Sequence, residues 1–353
     1  MFYPLHELLK HSCTFASIPT KKEERWRFSP LADYLEKEYK KSSSKAASIP
    51  DKPKKDYWIY LIDDNVLEVE LPPSVHLKHS QHSLELNCFE DIEISIHHDY
   101  SEQTFVEFTL NIIIQEHVSM DLYHSYEGGE KSFILHTSNI KLEPHAHLFQ
   151  TQVQDLSPEA VFILHNTVHS DKNSVFKDFS LLHTGEYLHN LFHIDLHYHA
   201  IADITSLLLS SNRQKSIFSC DIDHLADRST SKILSRQVIR DESTCVFDAN
   251  TMISKETKAT EAKQASHALL LDESAQIHAK PHLEIYSDDL SASHGTTVGQ
   301  LNQEAIAYLR SRGLSESRSK EILISAFIND TLESIDNSRH KALISKLLGA
   351  EDE

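Results

Sequence analysis

Glycine is nearly missing from this chain. Seven occur in 353 residues, and no G-x-x-x-x-G-K-[ST] phosphate loop or G-x-G-x-x-G dinucleotide turn can be found, so ATP hydrolysis by the chain itself and dinucleotide binding of the usual kind are excluded. A chain this short of glycine is expected to reserve each one for a backbone geometry that needs it. Three of the seven, Gly295, Gly299 and Gly313, lie close together. Asn-Gly and Asp-Gly, the strongest two-residue hairpin signals, are absent. Cysteine is scarce: Cys13, Cys88, Cys220 and Cys245 are far apart, with no C-x-x-C pair. That spacing fits free thiols in a reducing cytoplasm better than a disulfide framework. No apolar run approaches the ~20 residues that span a bilayer, Asn111–Ile114 and Ser206–Leu209 being typical maxima. The N-terminus lacks the basic start and apolar segment of a signal peptide. Positive charge is short too, 34 Lys and Arg against 53 acids for a net charge of −19, which argues against nucleic acid or an anionic membrane as the main partner.

One residue type is in excess. The chain carries 25 histidines, most of which composition alone would place at polar surface positions. Two doublets stand out, His145-Ala146-His147 and His197-Tyr198-His199. H-x-H on a strand puts both imidazoles on one face, as in cupin-type metal sites, and His193 and Asp195 would share the face of His197. A metal-dependent β-fold enzyme using His145, His147, His193, His197 and His199 is therefore the alternative to weigh.

The texture divides the chain into three. Residues 1–55 read as a helical region, with an amphipathic stretch over Ala32–Tyr39, followed by a polar linker at Lys41–Lys45 and closed by Pro50 and Pro53. Residues 56–292 alternate apolar and polar residues in short runs, such as Val66–Leu71, Phe105–Leu110 and Phe192–Tyr198. Period-two alternation predicts half-buried strands. Sandwich, jelly roll and β-helix all satisfy it; the missing hairpin turns favour a parallel β-helix, although no crisp repeat is visible. Residues 293–353 predict a helical tail: Asn302 caps a helix stopped by Gly313, Ser315 caps a second bearing Ile322, Leu323, Ala326, Phe327 and Leu332, and a third follows Asp336 through Leu343, Ile344, Leu347 and Leu348.

The richest segment joins the last two regions. Pro281–Gly299 runs from an alternating strand into Asp288-Asp289 and then into Ser293-His294-Gly295, read here as a turn. An imidazole at a turn beside two carboxylates is a candidate site; a capping element between β body and tail accounts for the same residues.

Pro281-x-Leu283-Glu284-Ile285-Tyr286-x-Asp288-Asp289, Ser293-His294-Gly295-x-Thr297-Val298-Gly299-Gln300-Leu301 and Tyr308–Gly313 closely resemble the SufD proteins of the SufB/SufD family. Ile18–Arg27 resembles the family's N-terminal element, with fainter matches at His224, Val246-Phe247, Ala262–Gln264 and Leu269–Leu271. The resemblance implies a mainly β protein, a right-handed parallel β-helix flanked by N-terminal and C-terminal α-helical regions. It implies a non-catalytic scaffold subunit of an iron–sulfur cluster assembly complex. The β-helix would pair edge to edge with a SufB-like paralogue, and the C-terminal helices would dock a SufC-like ABC ATPase. His294 would be the iron ligand at that interface, holding a transient iron–sulfur cluster with a cysteine of the partner. The family often has Cys two residues before this histidine; here the position is Ala292, so any thiolate must come from across the interface. Paralogous edges also permit a homodimer of the isolated chain.

Overall fold

In the computed structural model the described residues are 2–9, 22, 26, 27, 29, 31–41, 57–80 and 82–349. Cys13, the linker after Lys41, and Ile18–Arg27 except Lys22, Trp26 and Arg27 lie outside them. The body is a parallel β-solenoid of about eight coils. Each coil gives one strand to an eleven-stranded sheet and one to a ten-stranded sheet, and the two sheets face each other across the core. Partners in successive coils stand 28 residues apart through much of the body: Phe105 pairs with Phe133, which pairs with Val161. The repeat is one of spacing and of inward apolar side chains rather than of residue identity, which is why it escapes inspection of the sequence. Phe192, Phe218 and Phe247, all fully buried, stack in sequence along the interior with ring centroids 5.9 and 6.5 Å apart. Aromatic rows of this kind give each coil both burial and registry with its neighbour.

The corners answer the glycine shortage. Twelve non-glycine residues among those described have positive φ. Five of them, His117, His145, Asn173, His199 and Arg228, occupy one corner coil after coil. The N–H of His145 donates to the Lys172 carbonyl (3.0 Å), that of Asn173 to Tyr198 (2.9 Å), and that of His199 to Asp227 (3.0 Å). The rings of His117 and His145 stack at 4.7 Å, and Asn173 Nδ2 donates to His145 Nε2 at 3.3 Å. Asn, Asp and His tolerate the left-handed region better than other side chains do, so residues of this type stand where glycine is usual. Gly313, at φ +94, does end a helix as expected, whereas Gly295 and Gly299 lie in a strand and neither takes a positive φ.

Two antiparallel hairpins precede the solenoid proper, although the chain lacks Asn-Gly and Asp-Gly. Tyr57–Ile62 returns as Asn65–Glu70 through Asp63-Asp64, both at positive φ, and Val75–Ser80 pairs with Ser83–Cys88. The N-terminal region is less helical than expected. After α1 (Leu5–Leu9) and α2 (Leu31–Tyr34), Glu38–Lys41 is a strand, antiparallel to Phe2–Pro4 and parallel to Thr104–Ile114. Edge pairing and burial of Tyr39 against Phe133 override the local helical pattern. This region covers the outer face of the first sheet, where Leu5, Leu8 and Leu31 join the cluster of Phe133, Leu135 and Val161.

The tail forms α3 (Gln303–Ser311), α4 (Glu316–Leu332) and α5 (Ser338–Leu347), capped by Asn302, Ser315 and Asn337. Leu332, Ile335 and Ile344 pack on the outer face of the second sheet against Val153, Phe179 and Leu207. Arg236 ties α4 down through Asp330 and the Phe327 carbonyl. Among the described residues no helix is long and apolar enough to cross a membrane. Cys88, Cys220 and Cys245 are buried thiols outside any disulfide, and burial pushes the Cys88 and Cys245 thiols up to about 12.

Two stability measurements follow. Ala259 sits at φ 53 without the polar side chain that eases this conformation elsewhere. Ala259→Gly should gain about 0.5–1 kcal/mol in urea unfolding, the left-handed strain removed less the added chain entropy. Asp178 is buried between the sheets, accepting from Gln150, Gln152 and Ser180 at 2.9, 3.0 and 2.6 Å. Burial nevertheless pushes its carboxyl up to about 6. The folded chain therefore holds this proton more tightly than the unfolded one, and the ionised group costs stability above pH 6. That cost is relieved as pH falls toward the ordinary carboxylate value of about 4. Asp178→Asn should raise Tm more at pH 8 than at pH 4.

Candidate functional site

Among the described residues nothing caps the solenoid at its C-terminal end. Its last two strands, Gln276–Ile285 in the first sheet and Leu290–Gly299 in the second, each pair on one side only among the described residues. His294 lies in the middle of the second of these, in extended chain rather than at the turn the sequence suggested. The bend falls earlier, at Asp288 and Asp289, and β-branched Thr296, Thr297 and Val298 carry the strand on to Gly299. The division expected between residues 292 and 293 thus falls within a strand.

Register shows what kind of position His294 holds. It is Cα partner to Gln264 and continues the row Gln150, Asp178, Ile204, Ile233, Gln264. Every earlier member of that row is buried between the sheets. His294 is exposed only because no further coil covers it. Ala292 lies two positions earlier on the same strand face, so the inward row at the open end presents an imidazole and a methyl group. Large apolar side chains lie at or beside this end: Ile285, Tyr286 and Val298 are 44, 61 and 51 % exposed. An unpaired strand with apolar neighbours is a template for another strand.

The histidine doublets are not strand pairs. His145 and His199 occupy left-handed corners. His147 opens the strand after one corner, and His197 lies past the end of Tyr187–Leu196. A corner separates the members of each doublet, so the shared-face reading fails. None of His145, His147, His197 and His199 joins a group of three or more metal-type ligands among the described residues. His193 and Asp195 do, together with Asp223 of the next strand, on the outer face of the first sheet. Asp195 accepts from His169 Nδ1 at 2.7 Å and lies 3.6 Å from His193 Nε2. Burial and the neighbouring carboxylates raise Asp223.

A second cluster is built from residues that sequence reasoning passed over. The Asp63-Asp64 hairpin tip is buried in the first coils, pinned by the Ser101 N–H on Asp63 Oδ1 (2.8 Å). Asp64 Oδ1 meets His98 Nδ1 at 2.7 Å, and its Oδ2 meets His136 Nε2 at 2.9 Å. His98 Nε2 lies 2.8 Å from His124 Nε2, whose Nδ1 is 3.2 Å from the Tyr126 hydroxyl. The Tyr100 hydroxyl stands 2.8 Å from His136 Nε2. Burial raises the Asp64 carboxyl, but the imidazoles of His136 and His98 outweigh it and hold the group low. Burial drives His98 down to about 4 and His124 further. The available signal was Asp63-Asp64-Asn65 between two apolar alternations, which marks a hairpin through two left-handed residues.

Residues 98–327 match the model of the SUF system FeS cluster assembly SufBD core domain. The chain is similar to the iron–sulfur cluster assembly protein SufD of Escherichia coli, 30 % identical over 128 residues that make up 36 % of this chain and 30 % of that one. SufD of Bacillus subtilis is 29 % identical over 126 residues, 36 % of this chain and 29 % of its own length. The chloroplastic protein ABCI7 of Arabidopsis thaliana is 24 % identical over 234 residues, 64 % of this chain and 49 % of its own length. The matched stretches thus cover less than half of each of these relatives. With the core model spanning most of the solenoid, the chain belongs to the SufBD family of iron–sulfur cluster assembly proteins.

Proposed function

We propose that this chain is a non-catalytic scaffold subunit for iron–sulfur cluster assembly, with the open end of its solenoid as the working surface. The observation that carries the reading is the position of His294: an interior row of the solenoid surfaces at an unpaired strand, and its last side chain is an imidazole. A SufB-like paralogue added to that edge would continue both sheets, main chain to main chain, and bury Ile285, Tyr286 and Val298. The imidazole would then lie at the seam. A neutral imidazole suits iron, and thiolate ligands suit iron–sulfur clusters. With Ala292 in place of a thiol, this chain offers nitrogen and the partner supplies sulfur.

The C-terminal helices fit the second half of the reading. One face of α4 and α5 is seated on the second sheet, while Leu343 and Leu347 remain 37 and 38 % exposed. A SufC-like ABC ATPase docked on this surface would act on a rigid body, since consecutive coils are bonded strand to strand along the whole solenoid. Movement of the helices would then bear on the seam rather than dissipate within the sheet.

Co-expression with SufB-like and SufC-like proteins tests each half. His294→Ala should leave the complex intact and lower its cluster absorbance severalfold; an unchanged cluster yield removes the ligand assignment and leaves the scaffold role standing. Tyr286→Asp with Val298→Asp should abolish co-purification of the SufB-like protein, because two carboxylates would be buried without partners. If instead both proteins still co-purify while a homodimer of the isolated chain falls apart, the open end serves self-association.

A further inference from the structure

We propose that the buried cluster of Asp64, His98 and His136 is a binding site for one first-row divalent transition ion, separate from the open end of the solenoid. Three separate elements deliver these residues: the hairpin tip, strand Ile92–Tyr100 and strand Phe133–Leu142. Their ligand atoms all lie within 4.8 Å of one another. Two imidazole nitrogens and one carboxylate suit zinc or ferrous iron and leave a position for a further ligand.

The surroundings argue for a site rather than an ordinary polar patch. The repeat does not carry it on. In successive coils the row of His136 continues as Leu164, Asn190 and Phe218, and the row of His124 as Gln152, Ser180 and Ser206. Imidazoles are thus gathered where the hairpin brings in a carboxylate. Burying an ionised carboxylate is expensive, and an apolar hairpin tip would cap the coil at lower cost. A divalent ion would neutralise the charge and turn the cost into binding energy.

The outer hydrogen bonds are of the kind that orient metal ligands. With no ion bound, one proton assignment satisfies every contact from Asp64 through to Tyr126. His98 Nδ1–H donates to Asp64, His124 Nε2–H donates to His98 Nε2, and the Tyr126 hydroxyl donates to His124 Nδ1. An ion at His98 Nδ1 displaces that proton. Loading then leaves His98 with its proton on Nε2, where it donates to His124; His124 in turn holds its proton on Nδ1 and donates to the Tyr126 oxygen. A ligating histidine that donates its other N–H to a fixed partner is the usual arrangement. The carboxylate and imidazoles now stand at hydrogen-bond distance, 2.7 and 2.9 Å. Tetrahedral coordination at 2.0–2.1 Å spaces ligand atoms by about 3.3 Å, so loading requires the hairpin tip to back away by about half an ångström. The ion would clamp the hairpin, which lies outside the matched core from residue 98 onward, to the first coils of that core.

The test uses the full chain, refolded in metal-depleted buffer with and without Zn²⁺, desalted, and measured by plasma mass spectrometry and thermal unfolding. One retained Zn²⁺ per chain is expected, together with a Tm several degrees higher. Asp64→Asn and His136→Gln should each lose both effects, whereas His193→Ala, in the surface cluster, should keep both. Refolding the native chain with Co²⁺ should give visible absorption of a four- or five-coordinate site, a readout that holds even if the variants fail to fold. No retained Zn²⁺ and no such Co²⁺ spectrum in the native chain would overturn the proposal. So would retention that survives Asp64→Asn and is lost with His193→Ala.

Discussion

Everything in this molecule depends on parallel strands meeting their counterparts one coil away without slipping. The backbone hydrogen bonds of each strand are completed by the previous and the next coil, so a coil cannot fold alone, and a slip by one residue would turn every side chain to the wrong face. The corners help to hold that register. At many of them a left-handed residue lets the chain change sheets in few residues, and along one corner row its N–H bonds to the corresponding corner of the next coil. The same corners account for two oddities of composition together. Glycine is scarce because Asn, Asp and His take its place, and part of the histidine excess is turn chemistry rather than metal chemistry.

A solenoid must also begin and end, and here the two ends are handled differently. At the start, hairpins and the N-terminal strands pair with the first coils, and the Asp63-Asp64 tip is drawn inside. At the other end none of the described strands closes the core. The interior rows run out into solvent, mixed in the second sheet (Leu290, Ala292, His294, Thr296 and Val298) and apolar in the first, and among the described residues both last strands pair on one side only. Monomeric β-proteins usually blunt such an edge with charge, proline or a covering loop. Gln276–Ile285 does carry Lys280, Pro281 and Glu284, but Leu290–Gly299 has no proline, acid, Lys or Arg, and that edge, with Tyr286 and Val298 exposed, is consistent with a subunit that works joined to another.

Much of this is legible in the sequence. Alternation over Phe105–Leu110 and Phe192–Tyr198 identified strands, because sheets with a dry inner face require it. Asn302, Ser315 and Gly313 marked helix ends, because unsatisfied backbone groups need those side chains or that φ. Less local features were misread. Ala32–Tyr39 has a helical pattern, yet its last residues are claimed by an edge strand and a phenylalanine almost a hundred residues away. His145 and His147 look like neighbours on a strand until a corner is placed between them.

Sequence by itself determined the class, the family and the ends of the helices, since periodicity, capping and the motif around His294 are properties of neighbouring residues. Tertiary structure alone decided where these histidines stand. His294 is exposed because the chain runs out of coils. His145 stands at a corner because its coil turns there. His98, His124 and His136 meet Asp64 because coils of about 28 residues stack residues from distant parts of the chain into one interior. Spacing along a chain specifies which residues share a face; only the stacking of coils specifies which faces meet.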